Sequence, residues 1–208
     1  MSEDGTRRPG RPRSERARQA VLAAALALVA EEGPAGLQME AIARRAGVSK
    51  ETLYRWWRTK SEVILDALAE RGRQTIPLPD TGALEGDLLA FLRATVDSAD
   101  PTTVRLLHTI AAAAAADEVF AVEVRDRFLA TRRADLRQLL ERGADRGEIT
   151  RDLAGFAVDL VYGSMWYRLI FQIGPLDYTW AEAVVASITS GGPRSHLDFS
   201  DEVGGSSF

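Results

Sequence analysis

Met39-Glu40-Ala41-Ile42-Ala43-Arg44-Arg45-Ala46-Gly47-Val48-Ser49-Lys50-Glu51-Thr52-Leu53-Tyr54-Arg55-Trp56-Trp57-Arg58-Thr59-Lys60 is the stretch that decides the fold. Ile42 and Ala46 sit one helical turn apart, and so do Leu53 and Trp57. Between these pairs stands Gly47, a residue that takes positive φ without strain. Ser49 is placed to cap a second helix, with Glu51 or Thr52 in its first turn. Ala43 is small where two helices have to approach. The spacing predicts a helix over 37–46, a tight turn at Gly47 and a helix over 48–58, which is the pattern of a helix-turn-helix. An ordinary helical hairpin has the same geometry. The polar face of the second helix separates the two readings. It carries Ser49, Lys50, Thr52, Tyr54, Arg55 and Arg58, with Lys60 just beyond and Glu51 as its one acid. Hydroxyls and cations bond phosphate oxygens and base edges. A merely solvated face mixes both signs more evenly.

Outward from this stretch, Leu22, Leu26 and Val29 recur at helical spacing and predict a first helix over 14–32. Arg16 and Arg18 near its start oppose the helix dipole unless an anion sits there. Gly and Pro clusters at 33–36, 77–82, 100–101, 143–147, 174–175 and 191–193 punctuate the rest. Between them lie good helix formers and no sustained strand-like alternation. A linking helix over 61–73 and five more over 82–98, 101–115, 117–142, 151–173 and 177–190 follow. The fold class is all-α, with about nine helices in two domains. We divide the chain into a disordered basic arm (1–13), a helix-turn-helix domain (14–74), a second helical domain (75–190) and a disordered tail (191–208).

Composition narrows the chemistry. The chain has 208 residues, no cysteine and two histidines, His108 and His196. That excludes a disulfide scaffold, a Cys-ligated zinc and a cysteine nucleophile, and it argues against a multi-His metal site. No metal or cofactor is expected. There is no Gly-rich phosphate loop, no His–carboxylate metal motif and no Gly-x-Ser-x-Gly, so an enzyme is not expected. The longest stretch free of Asp, Glu, Lys and Arg is residues 19–30, 12 residues. A membrane span needs about 18 or more. The basic start and this apolar run imitate a signal peptide, but acids interrupt the leader and no small-x-small cleavage site closes it. A cytoplasmic protein is expected. The net charge of −4 conceals an asymmetry. Residues 1–60 hold 12 Lys and Arg against 7 Asp and Glu, and residues 61–208 hold 14 against 23. A basic end on an acidic body suggests that one end meets a polyanion.

Residues 39–64 resemble the DNA-binding signature of TetR-family transcriptional regulators. The resemblance rests on Ile42-Ala43, on Ala46-Gly47-Val48-Ser49, on Thr52-Leu53-Tyr54, and on Lys60 six residues beyond the tyrosine. It covers about residues 14–74 strongly and is weak beyond 75. It implies a dimer on a palindromic DNA operator, acting as a repressor released by a small-molecule effector. Thr52, Tyr54 and Lys60 would hold phosphates, Ser49 and Lys50 would enter the major groove, and Leu53 and Trp57 would be core. Two departures stand out. Leu37 and Gln38 replace the usual Ser or Thr before the second helix, though the Gln38 amide can still reach a phosphate. The aromatic pair is Trp56-Trp57, where the family often ends in Phe. In the arm, Gly10-Arg11-Pro12 resembles the core of an AT-hook, a minor-groove reader; a solvated tail is the other reading.

The second domain is expected to hold both the effector and the dimer interface. The helix over 151–173 is apolar on more than one face, so it needs partners on more than one side. Following the resemblance, Met165 and Trp166, with Val184 and Ile188 on the last helix, are expected between subunits. An effector pocket is expected among the helices over 101–115, 117–142 and 151–173. Phe128, Tyr162 and Trp166 would be its walls, and Arg105 and His108 its rare polar groups. Plain core is the rival reading of each aromatic. A regulator without any ligand is the alternative function.

Overall fold

The computed structural model describes residues 11–34 and 36–190, with side chains from residue 14. Residues 1–10 of the basic arm, the Arg11 side chain and the tail at 191–208 lie outside the described residues. Among the described residues the chain is all-helical. The helices are α1 (Arg11–Glu32), α2 (Met39–Ala46), α3 (Lys50–Trp56), α4 (Lys60–Thr75), α5 (Leu84–Ser98) and α6 (Pro101–Ala116). α7 opens as an α-helix over Glu118–Glu123, widens to a π-helix over Val124–Leu129 and returns to an α-helix over Ala130–Asp145. α8 (Arg151–Phe171) and α9 (Tyr178–Thr189) complete the nine.

Local chemistry sets most of the boundaries. Ser49, Thr59, Asp100, Asp117, Thr150 and Asp177 each accept a backbone N–H of the helix they precede. Pro101 supplies the first residue of α6, where its missing N–H costs nothing. α5 has no capping side chain of its own. Glu148, 64 residues on, accepts the Leu84 N–H at 2.7 Å instead. α1 begins at Arg11, three residues ahead of the expected start, and takes the last part of the arm into the helix. Arg18 finds its anions within the chain, at Glu15 (3.2 Å) and Glu70 (3.8 Å), so the helix start needs no external phosphate there.

One hydrophobic core runs through both halves. In the head it joins Val21, Leu22 and Val29 of α1 to Ile42, Leu53 and Trp57. α4 carries it onward through Val63, Ile64, Leu65 and Leu68. In the body, Leu88, Phe91 and Leu92 of α5 share this core with Leu136, Leu139 and Leu140 of α7 and with Ala157, Val158 and Val161 of α8. Burying each side chain of Leu or Ile size stabilises the fold by roughly 1.5–3 kcal/mol. α5 and α7 come close at Gly143, where an added Cβ would lie 2.8 Å from Leu84 Cδ2.

α8 is the helix whose faces needed a third dimension to sort. Its inward face is Ala154, Ala157, Val158, Val161, Tyr162, Met165 and Leu169. Met165 is 8% exposed and, on α9, Ile188 is 0% exposed. Both pack into the chain's own core. The physical reason is that α5 and α7 already cover this side of α8 and α9. Trp166 and Val184 are half-buried against the same core. The face left in solvent is Phe156, Leu160, Tyr167, Ile170 and Phe171.

Candidate nucleic-acid interface and interior cavity

The turn between α2 and α3 is built by Gly47, which holds φ 67° and ψ 31°. Its N–H reaches the Arg44 carbonyl at 3.3 Å, and the Val48 N–H reaches Ala43 at 3.1 Å. This pair of bonds is a Schellman closure, and it aims the chain into α3. Ser49 Oγ then accepts the Thr52 N–H at 3.2 Å. Leu53 and Trp57 are buried behind α3, at 0% and 2% exposure. The opposite face is open: Ser49, Lys50, Tyr54, Arg55 and Arg58 are exposed, and Thr52 and Lys60 are half-buried. Arg58 and Lys60 form no ion pair with a described residue. Arg55 lies over the Trp56 ring, 5.8 Å from its centroid. Lys50 Nζ is held at 3.2 Å by Glu40, so it must exchange that carboxylate for any outside anion. Hydrogen bonds from its own backbone and from Lys50 hold the Glu40 carboxyl below its usual range. Gln38 stands exposed at the start of α2, and its side chain makes no capping bond.

Behind this head, α4 and α7 are pinned together. Trp57 Nε1 donates to Asp66 Oδ2 at 2.9 Å, and Arg127 donates to Asp66 Oδ1. Arg127 belongs to the π-helical part of α7, and the next two residues, Phe128 and Leu129, face an interior cavity. The cavity has a volume of about 70 Å³. Its apolar wall includes Leu68, Leu107, Phe128, Met165, Trp166 and Leu169. Its polar groups include Arg71, Thr103, Arg132 and Tyr162. Arg71 pairs with Asp100. Tyr162 donates to the Arg132 carbonyl at 2.8 Å.

Burial pushes the Tyr162 phenol up to about 12 from its ordinary value of 10.0. This carries a prediction about alkaline stability. The unfolded chain loses the phenol proton first, so the folded state's advantage is intact below pH 10 and is lost as pH rises towards 12. The shift corresponds to about 2–3 kcal/mol. Urea midpoints of the wild type and Tyr162→Phe, followed across that range, should fall more steeply in the wild type. Parallel curves would contradict the burial argument.

The head and body match two family models. The model described as "Bacterial regulatory proteins, tetR family" matches residues 21–67, and "Tetracyclin repressor-like, C-terminal domain" matches residues 78–188, more than half of the chain. The chain belongs to the TetR family of transcriptional regulators. It is 34% identical over 186 residues to the HTH-type transcriptional regulator YdeS of Bacillus subtilis, covering 88% of this chain and 92% of YdeS. It is 31% identical over 163 residues to the HTH-type transcriptional regulator AqdR of Rhodococcus erythropolis, covering 78% of each. The crystal structure of the TetR family transcription regulator SCO0332 superimposes with a TM-score of 0.75 at 34% identity, covering 84% of this chain and 97% of that one. Similarity therefore extends well past residue 75, where the signature motif alone had faded.

As a TetR-family DNA-binding regulator, the chain brings only part of the expected ligand set together. Phe128, Tyr162 and Trp166 do share the cavity. Arg105 and His108 do not. They line a separate surface groove with Arg168 and Gln172, and His108 Nε2 lies 2.6 Å from the Leu169 carbonyl. α6 turns its Leu106 and Leu107 edge to the core, which carries Arg105 outward into solvent. The charged groups that do reach the cavity, Arg71 and Arg132, were not anticipated. A signal existed for Arg132. It continues the stripe of Leu136, Leu139 and Gly143 at helical spacing, all on the buried side of α7.

Proposed function

We propose that the protein is a cytoplasmic, homodimeric repressor that seats α3 in the major groove of a palindromic operator and is released by a small molecule in the interior cavity. The observation that carries the DNA reading is the face of α3. It is an exposed set of hydroxyls and cations fixed by a capped helix and a buried Leu53–Trp57 edge. Gln38, Thr52, Tyr54 and Lys60 take phosphates. Ser49 and Lys50 meet base edges, Arg55 and Arg58 add positive field, and Arg11 with the basic arm follows the neighbouring groove. The two-fold axis is supported by the stripe Phe156, Leu160, Tyr167 and Ile170. All four are at least 36% exposed, and Gly163 among them would meet nothing with an added Cβ. A monomer rarely leaves such a stripe open. This reading moves the interface from Met165 and Ile188 to that stripe.

The route from cavity to head is short. Leu68, Arg71 and Gly72 of α4 line the cavity, and the same helix starts beside α3 with Lys60. The Arg127–Asp66–Trp57 chain is a second link. A regulator without a ligand has less support, because nothing then answers the buried, unpartnered donors that face the cavity.

The test begins with selection of binding sites from random duplexes, which should return palindromes because the protein's symmetry imposes them. Lys60→Ala should weaken all sequences alike and reduce the salt slope by about 0.9. Tyr54→Phe should weaken binding with no change of slope. Recovery of asymmetric sites alone, or an unchanged slope for Lys60→Ala, would overturn the interface.

A further inference from the structure

Arginines and hydroxyls supply the cavity's polar groups, and three of their atoms lack a partner. Arg132 Nη2, Thr103 Oγ1 and Arg71 Nε are buried and have no hydrogen-bond partner. The Arg132 side chain is 9% exposed, and Thr103 is 8% exposed. Leaving a buried polar atom unpaired is costly, so such atoms usually have a partner. Here two arginines and a hydroxyl face a space whose lining contains no Asp or Glu. The nearest carboxylates sit at its margin. Asp135 Oδ2 lies 3.5 Å from Arg132 Nη2, a charge contact without a hydrogen bond, and Asp100 is taken by Arg71 and by the start of α6. Phe91 covers another side of Arg132, with its ring centroid 5.8 Å from the guanidinium carbon.

We propose that the cavity takes a small monocarboxylate, its anion on Arg132 with Thr103 and Arg71 as further donors, and its hydrocarbon body against Phe128, Met165, Trp166 and Leu169. The proposal rests on reading this cavity as the effector site. A guanidinium in an apolar setting favours an anion over a neutral acceptor, because charge-assisted hydrogen bonds are the stronger ones. A single negative charge suits the site better than a dianion, whose desolvation costs more. Size sets the other limit. The cavity is small, about 70 Å³. That favours a short aliphatic or single-ring acid over a long chain or a fused-ring compound.

The test is calorimetric titration of the full-length protein with butanoate, hexanoate, octanoate and benzoate, each against its primary amide. At least one acid should bind about tenfold more tightly than its amide. Arg132→Gln should bring that ratio near one. Thr103→Val, close in shape and able to decide the matter if the arginine variant does not fold, should weaken the acid several-fold with a thermal melt no lower than the wild type's. No binding by any acid at millimolar concentration, an amide that binds as tightly, or an acid preference untouched in both variants would overturn the carboxylate site. Operator titrations with the same compounds separate this from the effector reading. Amides that release operator where acids do not would leave an effector cavity with the wrong ligand class. An acid that binds without changing operator affinity would leave the carboxylate site and remove its role as effector.

Discussion

Phe156→Asp combined with Leu160→Asp should turn a dimer into monomers and reduce operator affinity by more than a hundredfold. Phe156 is 60% exposed and Leu160 is 41% exposed, so two charges there cost the single chain little. At a two-fold interface each substitution appears twice. Four unpaired carboxylates would then face apolar surface, where charges without partners are expensive to bury. An obligate interface commonly exceeds about 2,000 Å² in total, so its loss is not a marginal change. A monomer would present one recognition helix, and two half-sites would no longer be bound together. Sedimentation velocity should read the mass, and a melt should show that the fold persists. A soluble dimer of the double variant would move the two-fold axis elsewhere. The comparison with Met165→Asp is informative: that residue is 8% exposed, so its substitution should destabilise the chain itself.

The second large effect concerns Trp57. Trp57→Ala should cost about 3–5 kcal/mol, as large-to-small changes of buried aromatics do. Whole domains are stable by only about 5–15 kcal/mol, so much of the margin disappears. The indole is 2% exposed and packs edge-on against Trp56, with ring centroids 5.5 Å apart. Trp57→Phe separates two roles. It keeps most of the packing and removes the donor to Asp66, leaving that carboxylate with Arg127. If the Arg127–Asp66–Trp57 chain carries ligand information to α3, Trp57→Phe and Arg127→Gln should bind operator nearly normally but respond weakly to effector. Coupling of this sort typically amounts to 1–3 kcal/mol, or about 5–150-fold in operator affinity. The same ligand response in both variants as in the wild type would assign the coupling to α4 alone. The position of Arg127 favours the chain, because a π-helical turn is rare and often marks a functional site.

The head was legible residue by residue. Gly47, Ser49, Leu53 and Trp57 act through bonds and contacts to near neighbours, and these depend on spacing that the sequence displays. The helix count came from the same local chemistry, since caps and breakers are short-range. The capping of α5 was not legible, because its partner, Glu148, lies 64 residues away.

The body divided along the same line. That α8 is apolar on more than one face was evident from its residues, and so was its need for cover on two sides. Which side belongs to the chain's own core was a tertiary decision, made where α7 packs against α8 and Met165 is buried. An apolar stripe with no polar opposite has no preferred direction until neighbours supply one. The cavity shows the reverse case. Arginines are expected on the surface, yet their long stems let them cross apolar ground. The sequence determined an all-α chain with a reading head of fixed geometry. Only the packing of α4, α6, α7 and α8 around one space placed Arg132 and Thr103 inside and left Arg105 and His108 outside, because helix rotation about its axis is set by the partners it meets.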